Sequence, residues 1–238
     1  MNLIKNIFHL NDIKQKGDSK KLLYRYILSA LGVLCIGIGC GFVAEMSLGC
    51  DTYTSFNMGI WYILKESFGE FPFGHINFSV NIILFIFMLL LRRDLIGFGT
   101  LFNMVAVGYI IDFIHYIFII NGCLGTELNY VLRIAVIVLS LPIIALGGAL
   151  YIKADLGLSP FDSIPFVLLK FTKGKYGFGI LRTLTDCFFL CGGFIFGLLT
   201  GKHFALVNIG TVLLALFTGV LIVMWQKIIG KPEKQQNN

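Results

Sequence analysis

Apolar residues in this chain run in long unbroken blocks, without the spaced rhythm of an amphipathic surface helix. A membrane-crossing helix needs about 20 mostly apolar residues. Blocks of that length lie near 26–46, 73–91, 96–117, 131–152, 176–199 and 205–225. They predict an all-α membrane protein with about six transmembrane helices. The first block follows a polar, basic stretch, is too long for the apolar core of a signal peptide and has no small-residue cleavage site, so a retained span is expected.

Polar positions between the blocks predict two further, shorter helices. Ser159-Pro160 has the form of an N-cap followed by proline at the first helical position, opening a helix through about Lys170. Asp51-Thr52 can cap a matching helix through about Lys65. Both are too short to span. They either lie flat at the interface or dip inward, aiming unpaired N–H groups at the membrane interior.

These signals occur twice in the same order, which predicts an internal duplication. Gly39 matches Gly147, Leu48-Gly49 matches Leu156-Gly157, and Ser55 matches Ser163. Gly99-Thr100 matches Gly210-Thr211, and Gly108 matches Gly219. Three spans per copy is an odd number, so the second copy inserts upside down relative to the first. The expected architecture is therefore two inverted three-helix repeats, each with a short extra helix after its first span. The expected divisions are a cytoplasmic N-terminal segment (1–25), repeat one (26–122), repeat two (123–230) and a cytoplasmic tail (231–238). Residues Leu3, Ile4, Ile7 and Phe8 share one helical stripe, which fits an in-plane helix as well as a solvated tail.

Composition agrees with the blocks. Hydrophobic residues make up 57% of the chain and charged residues 13%, with a mean hydropathy of +0.84; soluble chains carry about a quarter charged residues. The net charge of +6 reports orientation, not nucleic-acid binding. Most lysines and arginines precede the first span, follow the last, or lie in the 92–93 and 153–175 connections. With both termini cytoplasmic, all of these fall inside, and Lys65, Arg133 and Lys202 fall outside. The expected location is the bacterial plasma membrane, multi-pass.

Ionisable groups inside a bilayer are costly and mark function. Arg182 and Asp186 sit four apart on one face of the fifth span. Their repeat-one counterparts are Asn77 and Asn81, so each copy carries a polar pair at the same place. These four residues, with Ser159, Asp162 and Asp51 at the short-helix starts, form the candidate substrate site; the alternative is that Arg182 reaches to the inner surface and pairs with Asp186 for structural reasons. Asp112 is matched to Val223 and breaks the symmetry; it is a candidate proton or ion site, or an outer-surface acid. Glu45 and Lys153 are matched near helix ends, where anchoring and gating are both open.

No HExxH, nucleophile elbow or phosphate-cradling loop is present, so no enzyme activity, cofactor or metal is expected. Cys187 and Cys191 are four apart with no supporting histidine. Cys50 and Cys123 fall on one expected face, and their pairing is open.

The repeated leucine-glycine segments, the Gly-Thr step opening the third helix and the run Gly108-Tyr109-Ile110-Ile111-Asp112 resemble the YczE/YyaS/YitT-like bacterial integral membrane proteins. The run Asp155–Asp162 carries the most specific part of that resemblance. It implies a multi-span bacterial plasma-membrane protein and no settled substrate. The first expectation for function is a small secondary transporter of an unknown small solute, with lipid as its surroundings and a homodimer left open. Two alternatives are a substrate-capture membrane subunit of an ATP-driven importer and a non-transporting membrane regulator.

Overall fold

The computed structural model describes residues 16–122, 125–176 and 178–230. The stripe expected near the N-terminus, the tail at 231–238 and Cys123 lie outside the described residues; Cys50 carries no disulfide. Regular structure among the described residues is entirely helical. The long helices are α1 (Lys16–Glu45), α3 (Phe73–Leu91), α4 (Phe98–Ile120), α5 (Tyr130–Ala154), α7 (Phe178–Leu199) and α9 (Ile209–Ile229). The short ones are α2 (Thr52–Phe68), α6 (Pro160–Phe171) and the single turn α8 (His203–Leu206). α1 begins at Lys16, ahead of the expected start at Tyr26, so helix already occupies part of the basic segment before the first span.

Six stretches are long and apolar enough to cross a membrane: Lys21–Glu45, Phe73–Leu91, Phe98–Ile120, Tyr130–Ala154, Ile180–Leu199 and His203–Ile229. Their outward faces stay apolar. Phe87, Phe113, Leu139, Phe188 and Leu216 are each more than half exposed, a surface suited to lipid rather than water.

α1 and α5 form the central pair; α4 packs on α1, and α9 packs on α5. The central crossing is set by glycine. A Cβ added at Gly32 would stand 2.7 Å from the Gly147 carbonyl oxygen, and one at Gly147 would stand 2.6 Å from the Gly32 carbonyl oxygen. The two backbones are in direct contact, which only side-chain-free residues permit.

The matched leucine-glycine segments fold alike. α1 and α5 each end in a turn with two left-handed residues, Ser47 (φ 49°) and Gly49 (φ 97°) in one, Asp155 (φ 47°) and Gly157 (φ 102°) in the other. Each turn bonds to the start of the other half's last helix. Gly99 N–H donates to Leu156 O (2.9 Å), and Gly210 N–H donates to Leu48 O (2.7 Å). Leu158 N–H donates to Leu95 O (3.0 Å), and Cys50 N–H donates to Leu206 O (3.1 Å). Leu95 and Leu206 stand at matched places, so matched residues exchange matched bonds. Gly157→Ala should lower stability by about 2 kcal/mol or more. The left-handed backbone alone costs an alanine about 1–2 kcal/mol, and its Cβ would stand 2.4 Å from Gly97 N. Thermal unfolding in detergent measures the loss.

Neither short helix lies flat across the bundle end. α2 ascends the second half of α7: Thr52 reaches Asp186, Phe56 sits against Gly192 and Gly193, and Gly59 sits against Phe196. α6 follows α3 in the same way, with Ser163, Val167 and Phe171 beside Leu84, Met88 and Leu91, and Lys170 Nζ donating to Leu91 O at 3.1 Å. Both short helices therefore start at mid-height and run outward.

Candidate functional site

The caps are those the sequence predicts. Asp51 accepts from Thr54 N–H at 3.0 Å. Ser159 Oγ accepts from Asp162 N–H at 3.1 Å, with Pro160 at the first helical position. The two first turns meet: the rings of Tyr53 and Phe161, matched residues of the two copies, stack at 4.8 Å. Two helix N-termini, each with a positive dipole end, thus converge in the middle of the fold.

Arg182 binds this junction together. Its Nη1 donates to Asp162 Oδ1 at 2.7 Å and its Nε to Asp186 Oδ2 at 3.2 Å. Its guanidinium lies 4.8 Å from the Phe161 ring centroid, within cation–π range. Ser159 Oγ donates to Asp162 Oδ2 at 2.6 Å, and Thr52 Oγ1 donates to Asp186 Oδ1 at 3.2 Å. Arg182 is four and Asp186 eight residues into α7, about 6 and 12 Å along a helix of roughly 33 Å, so the cluster occupies about the first third of that helix. It remains accessible: the side chains of Arg182, Asp186 and Asp162 are 34%, 33% and 42% exposed.

Asn77 and Asn81 belong to the repeat-one side of the junction and are buried. Asn57 Nδ2 donates to Asn77 Oδ1 at 3.1 Å, and Asn81 Nδ2 donates to Asn77 O at 2.9 Å. Asn57 Oδ1 and Asn77 Nδ2 are buried without a hydrogen-bond partner among the described residues. An unmet acceptor and an unmet donor on adjacent amides are hydrogen-bonding capacity that the fold leaves unused.

Asp112 stands apart from this cluster. Its two carboxylate oxygens accept from Phe73 N–H (2.8 Å) and Gly74 N–H (2.6 Å), capping the first turn of α3. Glu45 accepts from Gly125 N–H (3.2 Å) and pairs with His115 Nδ1 at 2.7 Å. Its counterpart Lys153 donates to the Ile229 carbonyl. Both residues of that matched pair thus anchor helix ends. In the 92–97 connection, the hydrogen bonds from Arg92 hold the Asp94 carboxyl below its ordinary value, so this exposed pair persists above the usual aspartate range and fades as pH falls through the lowered value.

Sequence reasoning missed four contributors. Tyr53 and Phe161 were within reach of it, because the repeat match aligns them. Asn57 and His115 were not: nothing local says that Asn57 meets Asn77 or that His115 meets Glu45, 70 residues away in the chain.

A family described as of unknown function, DUF6198, matches residues 23–227. An uncharacterized membrane protein, YczE of Bacillus subtilis (strain 168), is 25% identical over 206 residues, covering 85% of this chain and 86% of its own. No solved structure matches.

Proposed function

We propose that this chain, which belongs to the DUF6198 family and is a multi-pass membrane protein, is a small secondary transporter built from two inverted repeats. Its place is the bacterial plasma membrane, with both ends in the cytoplasm. One observation carries the reading: a charged cluster, Arg182 between Asp162 and Asp186, lies among apolar spans where two half-helix N-termini converge. Transporters place their sites at such discontinuous helices between repeats. A purely structural ion pair there would be costly, and this one is a third exposed rather than sealed. The reciprocal bonding of the two leucine-glycine turns supports the duplicated, inverted arrangement.

The solute is small and polar. Arg182 holds an anionic or acceptor group, Asp186 holds a cationic group or a proton, and the unmet Asn57 and Asn77 atoms supply further hydrogen bonds. Arg182 is already neutralised by two carboxylates, so an acceptor group of the solute would compete with one of them for a guanidinium donor.

Asp186→Asn keeps the shape and removes the charge. Uptake or export of the solute, once identified by screening metabolites against proteoliposomes, should fall to background with protein levels unchanged. Transport at the wild-type rate in that variant would refute the assignment.

A further inference from the structure

The two seams that join a short helix to the other half's second span are not equally closed. In one, α2 packs on α7 through glycine. A Cβ at Gly192 would stand 2.7 Å from Phe56 Cδ2, and one at Gly59 would stand 2.7 Å from Phe196 Cβ. In the other, α6 lies against α3, and the repeat puts Phe87 and Met88 where α7 has Gly192 and Gly193. Ile164 and Val167 stand where α2 has Phe56 and Gly59. Bulk faces bulk, and the α6–α3 seam stays open. It leaves a cavity of about 500 Å³ bounded by α3, α6 and one side of α7, within the range of about 300–1,000 Å³ usual for ligand sites.

The lining restricts the class of occupant. Among the described residues it is apolar except for Ser163 and Thr185. Their hydroxyls donate to Pro160 O (2.6 Å) and Leu181 O (2.9 Å) and are thereby spent. A polar solute would lose its water here and gain no hydrogen bond in return, whereas hydrocarbon loses nothing. Phe87, Phe171, Leu184 and Phe188 on the rim are each more than half exposed, so the groove opens sideways onto lipid. From Leu84 to Leu91 the α3 wall rises about 10 Å, most of the roughly 15 Å of hydrocarbon in one leaflet. Free positive charge gathers at the Leu91–Phe171 end. Lys170 Nζ donates to Leu91 O (3.1 Å) and Arg93 Nε to Leu89 O (2.8 Å), and Lys173 follows two residues after Phe171. All three are exposed, and none has a carboxylate within ion-pair distance among the described residues. Arg92 beside them is paired with Asp94 at 2.6 Å. At the Ser163–Thr185 end, Arg182 is held between Asp162 and Asp186.

We infer that this groove is a binding site for one acyl chain of an anionic phospholipid. The headgroup rests on Lys170, Arg93 and Lys173, and the chain runs along α6 towards Ser163 and Thr185. Such a lipid fills the seam that glycine closes in the other half, unlike the lipid that slides past the smooth outer faces. The inference goes beyond the transporter reading and does not depend on it, because a lipid held here is retained whether or not the chain moves a solute.

The full chain, delipidated in detergent, is equilibrated with equimolar palmitoyl-oleoyl phosphatidylglycerol and palmitoyl-oleoyl phosphatidylethanolamine and read by native mass spectrometry. A single retained phosphatidylglycerol is expected, favoured about fivefold or more, since one basic residue near an anionic headgroup contributes about that factor. Lys170→Gln combined with Lys173→Gln should remove the preference. Equal retention of the two lipids by the native chain would overturn the inference. A second measurement uses the native chain in vesicles whose phosphatidylglycerol carries a diazirine near the end of its acyl chain. Cross-links should concentrate on residues 163–167 and 184–189. An even spread over other outward positions such as Phe113, Leu139 and Leu216 would overturn the inference. So would cross-links at the groove that appear only after residues 2–15 are removed, which would assign the groove to the chain's own N-terminal segment.

Discussion

Gly147→Leu should yield little folded protein. The added Cβ alone would stand 2.6 Å from Gly32 O, 2.8 Å from Ile36 N and 2.9 Å from Cys35 Cβ. Two of these atoms are backbone, so no rotamer change relieves the contact; α1 and α5 must separate. That seam is the most extensive helix pairing among the described residues, and α4 and α9 hang on its two sides. Overpacking a well-fitted interior costs about 1–3 kcal/mol, occasionally more. Here the whole crossing moves, and a loss of about 3 kcal/mol or more is expected against a typical total stability of about 5–15 kcal/mol. The adjacent Gly148→Ala is the control. Its Cβ would meet the tip of the Ile222 side chain at 3.0 Å, which can rotate away. Yield in the membrane fraction and thermal unfolding in detergent distinguish the two. Equal behaviour of both variants would show that the α1–α5 contact does not hold the bundle together.

Arg182→Ala should leave a folded protein without transport. The substitution strips both carboxylates of their partner and removes the cation that spans α6 and α7. A fully buried pair broken in this way costs about 3–5 kcal/mol; with these groups about a third exposed, solvent screening brings the stability loss down to roughly 1–2 kcal/mol. The functional loss is larger. A hydrogen bond to a charged group contributes about 1.5–3 kcal/mol, so losing one to a bound solute predicts about a 10- to 150-fold drop in affinity or rate. Arg182→Lys is the sharper comparison. A lysine carries the charge but cannot present two fixed donors to two carboxylates while lying over the Phe161 ring. It should recover the stability and only part of the transport. Full transport by the lysine variant would mean that charge alone, without the fork geometry, serves the site.

Both predictions concern places where the repeat brings backbone or charge together at the centre. The same symmetry makes the odd residues informative. Asp112 has no acidic counterpart, and its carboxylate caps the first turn of α3.

The linear order of residues by itself determined the six spans, the two capped short helices and the duplicated leucine-glycine turns. Each of these is local: apolar run length, a cap with its following residues, and glycine where the backbone is left-handed. It also placed Arg182 and Asp186 on one helix face, because four residues make about one turn. Tertiary structure alone decided the direction of the short helices, since a capped helix of 12 residues is equally regular lying flat or dipping. It decided that Asp162 shares Arg182 with Asp186, that Asn57 faces Asn77, and that Glu45 meets His115, because these partners are brought together by packing rather than by spacing. It decided above all that Gly32 and Gly147 meet: glycines recur through the spans, and only packing selects the two whose backbones touch.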